Sequence, residues 1–236
     1  MTAPIHDLAS LRGRVRVFRD RRHAGELLAD MLRDEPGLAD AIVLAIPAGG
    51  VPVAAAIAER LGLPLDVCVV SKVLLPWTTE AGFGAVAFDG TEWINQEYVD
   101  YYRLTPSQVD KALSQARHKV ARRVRLFRDD RPFPDLRERP VILVDDGLAA
   151  GSTLRAAITA LQRRGAQRII VAVPTAPTHS ALAIAPLVSA LYVANLRSGP
   201  GFAVADAYQH WHDVDESEVV ALLATHRHDL PEADTP

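Results

Sequence analysis

The stretch Val141–Thr153 constrains this chain more than any other. It reads VILVDDGLAAGST: four apolar residues, the paired carboxylates Asp145 and Asp146, a small-residue turn, then Ser152 and Thr153. The apolar run has the character of a strand buried on both faces. Beyond the turn, Leu154, Ala157, Ile158 and Leu161 recur at helical spacing, and Gly165 follows Arg163 and Arg164 as a stop. Strand, tight loop and helix therefore come in immediate succession. A loop at a helix start aims several backbone N–H groups at one point, and the helix dipole adds to them, so the point favours a phosphate. The two acids suit sugar hydroxyls or, through water, a Mg²⁺ ion. The loop lacks the lysine of a P-loop and the spacing of a dinucleotide-binding turn.

The rest of the chain supplies more units of the same kind. Asp20 is placed to cap a helix with Ala24, Leu27, Leu28 and Met31 on one stripe, ended at Pro36-Gly37. Ala41–Ile46 reads as a buried strand, broken by Pro47-Ala48-Gly49-Gly50. A helix follows, with Ala54, Ile57, Ala58 and Leu61 inward and Gly62 as its stop. Leu65–Val70 reads as the next buried strand, ending at Ser71-Lys72. Residues 73–95 change character: a loop suited to movement, then a β-hairpin at Asp89-Gly90. Thr105-Pro106-Ser107-Gln108 starts a helix of about twenty residues. Strands at 168–173 and 191–196 follow, with a short helix at 180–187 between them and another at 216–223. Residues 1–17 show little pattern.

Strands alternating with helices predict an α/β fold, a parallel sheet with helices on both faces. The 236 residues suffice for one domain, 1–236, with an insertion at about 73–130 (loop, hairpin and long helix) and a C-terminal segment at about 197–236 acting as a small hood.

Composition closes off several classes. Net charge is −3, which argues against a general grip on nucleic acid or an acidic membrane. The long helix is rich in Lys111, Arg117, Lys119, Arg122, Arg123, Arg125 and Arg128. Without interleaved aromatic residues it reads as a solvated face rather than a nucleic-acid surface. Cys68 is the one cysteine and sits in an apolar run, so it reads as a buried thiol and excludes a cysteine zinc site. No leader or membrane-length apolar run is visible, so a cytoplasmic location is the default expectation. The pairs His210/His212 and His226/His228 read as surface histidines.

In an open parallel sheet, ligands gather beyond the carboxyl ends of the strands. Three strands end in distinctive turns there: Pro47–Gly50, Ser71-Lys72 and Asp145–Thr153. Gly49 and Gly50 permit close backbone approach, and Lys72 is a point charge suited to phosphate. A plain turn and a surface lysine are the blander readings of each alone.

Together these residues resemble the type I phosphoribosyltransferases. Asp145, Asp146, Gly151 and Thr153 fall where that family's ribose-5-phosphate loop has them. The match extends to Pro47, Gly49, Gly50, Val51, Pro52, Val53, Lys72, Pro76, Glu80, Gly84 and Ala85, over roughly residues 18–223. It is strongest with bacterial stand-alone phosphoribosyltransferase-domain proteins of undefined substrate. In the family the loop after the first core strand binds pyrophosphate and often carries a cis non-proline peptide.

The resemblance implies transfer of a 5-phosphoribosyl group from 5-phosphoribosyl diphosphate (PRPP) with Mg²⁺ to a nucleobase-like or other nitrogenous acceptor. Gly147, Leu148, Ala149, Ala150, Gly151, Ser152 and Thr153 would bind the 5′-phosphate. Asp145 and Asp146 would hold the ribose hydroxyls and, through water, the metal. Lys72 and the Ala48–Gly50 loop would take the pyrophosphate, and Glu80 would touch the nucleophile or metal unless it is simply a solvated loop acid. Phe202 is the first choice for a hood over the base, with Tyr208 and Trp211 second and core packing the plainer reading of each. The resemblance also allows a homodimer.

The departures are specific. Ala48 and Ser71 stand where the family pattern has arginines, and Ala150 stands for a threonine. Ala149 replaces the aspartate of purine-salvage members, which disfavours hypoxanthine or guanine. Losing two charge-assisted contacts of ~1.5–3 kcal/mol each would weaken pyrophosphate binding by orders of magnitude. The alternative function is therefore a catalytically weakened module that senses PRPP or a nucleotide.

Overall fold

The computed structural model describes residues 3–79, 81–129, 131–199 and 201–226. Glu80 and His228 lie outside the described residues, as does the end of the expected C-terminal segment.

The sequence signals resolve into two sheets. The larger has six parallel strands: β1 (Ile5–Asp7), β2 (Ile42–Ala45), β3 (Leu65–Val67), β7 (Val141–Val144), β8 (Ile169–Pro177) and β9 (Ala190–Arg197), in the order β1-β9-β8-β7-β2-β3. The smaller is antiparallel: β4 (Val70–Leu74), β5 (Gly82–Ala87) and β6 (Glu92–Ile94). β2 and β7 lie side by side in register, with Ala45 opposite Val144. Their two following loops are therefore neighbours.

Helices cover both faces of the large sheet, as the alternation of strands and helices predicts. α1 (Arg21–Leu32) and α2 (Gly50–Leu61) pack on the face that carries Val43, Ala45, Ile142 and Val144. α5 (Ser152–Arg163) and α6 (Thr178–Ile184) pack on the face that carries Ile42, Leu44, Val141 and Leu143. That alternation is the period-2 pleat of strands buried on both sides. Local chemistry sets the helix ends. Asp20 caps α1 by accepting from the His23 amide at 2.8 Å. The long helix α4 (Pro106–Arg128) opens with a Thr105–Gln108 capping box. α7 (Glu216–Thr225) closes the described chain and packs against α2 and α4.

Three expectations need correction. Leu65–Val70 is not one strand. The chain leaves the large sheet after Val67 and enters the small one at Val70. Residues on both sides of the break are buried, so hydrophobicity carries no mark of it. Lys72 consequently stands within β4 rather than at the end of a parallel strand. Second, residues 1–17 include β1, which pairs with β9 from Ile5↔Leu191 to Asp7↔Val193. A three-residue edge strand is too short to show a period. Third, α4 is not simply a solvated basic face. Arg128 is buried and its Nη1 donates to Asp66 at 2.5 Å.

The hairpin at Asp89-Gly90 forms between β5 and β6 and is joined by β4. The short helix α3 (Gln96–Tyr101) between β6 and α4 had no counterpart in the sequence reading. Cys68 is fully buried, and burial pushes its thiol well above the usual cysteine value.

Candidate functional site

The loops after β2 and β7 meet at the carboxyl edge of the large sheet. Two glycines explain how closely. A Cβ on Gly49 would lie 1.9 Å from Asp146 Oδ2, and one on Gly50 would lie 2.8 Å from the Val144 carbonyl oxygen and 2.9 Å from Asp145 Cα. Only glycine lets the Pro47–Gly50 loop seat against the acid pair. The Pro47–Ala48 peptide in that loop is cis.

The second loop ends at Gly151 with φ +83°, and α5 begins at Ser152. The Leu148 amide donates to the Thr175 carbonyl of β8 at 2.9 Å, which pins the loop to the sheet. Leu148 itself is buried in the core, so its side chain does not face the cleft. Gly147 lies under Val204, whose Cγ1 would be 2.5 Å from an added Cβ.

These loops form one wall of a cleft of about 570 Å³. Ala48, Gly49, Lys72, Asp145, Asp146, Gly147, Ala149, Ala150, Gly151, Ser152 and Thr153 all line it. Of the other residues singled out from the sequence, Gly50 sits beneath the acids, as its contacts show. Phe202 stands away from the cleft with the Arg197 guanidinium 5.0 Å from its ring centre.

The electrostatics of the acid pair are uneven. Asp145 is partly buried beside Asp146, and burial followed by that neighbouring charge raises its carboxyl well above the usual range. Its Oδ1 accepts from the Asp146 amide at 2.9 Å. Asp146 has a cation of its own. Arg21 Nε and Nη2 donate to Asp146 Oδ2 at 3.1 and 2.9 Å, and Arg21 Nη1 donates to the His212 carbonyl at 2.8 Å. Tyr208 donates its hydroxyl to the Asp146 carbonyl at 2.6 Å. Burial, then Asp146, raises the Tyr208 phenol well above its usual value.

Arg21 eluded the sequence reading because nothing in a helix-start arginine signals an ion pair 125 residues away. Tyr208 and Trp211, the second choices for a hood, act here on the support of the acids rather than over the cleft. Trp211 carries the Arg21 guanidinium 3.8 Å from its ring centre.

Several residues of the cleft were not chosen from the sequence. Lys119 and Arg123 reach it from α4, and Tyr98 and Tyr102 from the α3 region. The two basic residues are four apart and so share a helix face, a signal that was present in the basic run but not separable from its solvated members. Tyr102 touches Trp77 and Tyr101, with ring centres 5.7 and 4.9 Å apart, so aromatic rings rim this end.

The donor set fits a hard cation. Asp145 and Asp146 offer carboxylate oxygens, and among the described residues no group of three or more His, Cys, Asp or Glu side chains forms a cage. Mg²⁺ is held in that way, by one or two carboxylates together with substrate phosphates. No described helix is long and apolar enough to cross a membrane.

A family model described as phosphoribosyl transferase domain matches residues 20–189. A Mycobacterium tuberculosis protein provisionally named a phosphoribosyl transferase, Rv0571c of strain H37Rv, is 34% identical over 219 residues, 93% of this chain. Those residues are 49% of that protein, so the chain spans about half the length of the curated relatives it matches. The crystal structure of TT1426 from Thermus thermophilus superposes with a TM-score of 0.71 at 33% identity, covering 89% of this chain and 98% of that one.

Proposed function

Since this chain belongs to the phosphoribosyl transferase domain family, we propose that it moves the 5-phosphoribosyl group of PRPP onto a nitrogenous acceptor and releases pyrophosphate. The observation that carries this reading is the seating of Gly49 and Gly50 against Asp146 and Asp145. A ligand held by the two acids then necessarily touches the Pro47–Gly50 loop. A sugar bearing phosphate on one side and diphosphate on the other is such a ligand.

In this reading the backbone N–H groups at Ala149–Thr153, with the Ser152 and Thr153 hydroxyls, hold the 5′-phosphate. Asp145 and Asp146 orient the ribose hydroxyls, Asp146 through Oδ1 because Arg21 engages Oδ2. Mg²⁺ at these acids, when bound, would neutralise charge on the diphosphate. The bond from C1′ to the diphosphate oxygen breaks, and the leaving oxygen keeps the electron pair. The acceptor nitrogen supplies the pair for the new C1′–N bond, and its displaced proton ends on the released pyrophosphate. Lys72 and the Gly49 and Gly50 amides stabilise the charge that grows on the leaving group. Tyr98 and Tyr102 present ring edges and faces to a planar acceptor.

Incubation with PRPP, Mg²⁺ and a panel of nitrogenous bases tests this, with pyrophosphate release as the readout. Absence of release with every base tried, alongside tight PRPP binding, favours the second reading, a PRPP-sensing module. Uncharged Ala48 and Ser71 are the observation on its side.

A further inference from the structure

One wall of the cleft is cationic for reasons that packing does not supply. Lys72 stands on β4, and Lys119 and Arg123 stand one turn apart on α4, which packs directly on β4. Arg123 is anchored, its Nε donating to Glu216 at 2.9 Å, while Arg122 gives the same carboxylate two bonds at 2.7 and 2.6 Å. Lys72 and Lys119 have no ion pair among the described residues. Partial burial, then Arg123, holds the Lys119 ammonium below its usual value, with Glu216 opposing the shift and Arg122 and Lys72 adding to it. Like charges gathered in a cleft repel one another until an anion arrives, and a multivalent anion relieves the most. The other residues beside this wall do not serve that need, because Ala48 and Ser71 are uncharged.

We propose that Lys119 and Arg123 of α4, together with Lys72, bind the diphosphate of PRPP and so supply from a helix the charge that Ala48 and Ser71 do not. The proposal rests on the phosphoribosyl transfer reading of the cleft and assigns residues that the core loops alone would not reveal. Lys119 contacts the diphosphate, and Glu216 positions Arg123 beside it. On transfer, the electron pair of the C1′–O bond passes to the diphosphate, and these cations meet that added charge.

Titration calorimetry of the full chain with PRPP, inorganic pyrophosphate and ribose 5-phosphate, each with Mg²⁺, tests the assignment. Lys119→Ala and Arg123→Gln are each expected to weaken PRPP and pyrophosphate about tenfold to a hundredfold, the range for one charge-assisted contact. Ribose 5-phosphate should change less than about twofold, and Lys119→Arg should retain PRPP affinity, because one charge-assisted contact is kept. Lys119 makes no salt bridge among the described residues, and urea denaturation of its variant alongside the titration separates lost binding from lost folding. Unchanged PRPP affinity in Lys119→Ala overturns the proposal. So does a loss for ribose 5-phosphate as large as that for PRPP, since that would be a general field. A wild type that binds neither PRPP nor pyrophosphate instead overturns the phosphoribosyl transfer reading itself.

Discussion

Arg21 grips the carboxylate of Asp146 through two nitrogens at 3.1 and 2.9 Å, from a helix start that lies 125 residues earlier in the chain. Both side chains are largely buried, and Asp145, whose own carboxyl resists ionisation, lies beside them. Removing the arginine leaves the Asp146 carboxylate largely buried without its fixed counter-charge. Arg21→Met is expected to cost about 3 kcal/mol of stability, the scale for breaking a buried pair from one side. Asp146→Asn in the same background should recover part of it, because the unpaired buried charge goes too. Urea denaturation of the single and double variants measures both.

Gly49→Ala should be selective in a different way. Its Cβ would overlap Asp146 Oδ2 at 1.9 Å, and Arg21 holds that oxygen in place. The loop must then move away from the acids. We expect PRPP binding to fall by at least about tenfold, the effect of ~1.4 kcal/mol, with the far-ultraviolet circular dichroism unchanged. Calorimetric titration gives the affinity.

The Glu216 bridge gives a pH-dependent contribution to stability. Hydrogen bonds from Arg122, with those from Arg123, lower its carboxyl to about 2. A folded value below the unfolded one means stability that is present above the unfolded pKa of ~4.3 and lost as pH falls towards the folded value. Glu216→Gln is expected to cost about 1 kcal/mol at pH 7, after allowance for the exposure of Arg122 to water. The gap between variant and wild type should close as pH is lowered through that window. Guanidinium unfolding at a series of pH values follows it.

The aromatic rim should separate acceptor from PRPP. Tyr102→Ala removes a ring that lines the cleft and touches Trp77. Once an acceptor supports turnover, the KM for that acceptor should rise about fivefold to tenfold, as expected for ~1 kcal/mol of lost stacking, while PRPP affinity stays the same. Steady-state kinetics with each substrate varied in turn makes the distinction.

What the sequence displayed and what it concealed follow from the range of each interaction. Asp20, the Thr105–Gln108 box and Gly62 act within one helical turn, so the ends they set were legible in the residues themselves. The acid pair and its loop were legible for the same reason, since strand, turn and helix start are contiguous from Val141 to Thr153. Pairing of Pro47–Gly50 with that loop needed only the rule that parallel strands open on one edge. The break between Val67 and Val70 was invisible because burial continues across it. The contacts of Arg21 and Tyr208 with Asp146 were invisible because they join residues far apart along the chain. Phe202 was chosen for its glycine-rich setting, yet its ring lies with Arg197. Glycine neighbours allow a turn but do not say which way a ring points.

The helix that starts at the phosphate loop has one more property. α5 contributes to the core of the large sheet and also packs on β4, β5 and β6, while α4 covers the small sheet from its other side. Asp145, just beyond a strand of one sheet, and Lys72, within a strand of the other, are thus mortised to a shared beam. α5 spans the distance between the acids and the cationic wall. A scaffold tied together in this way favours a ligand whose length matches that span, because such a ligand needs less reordering of the protein to bind.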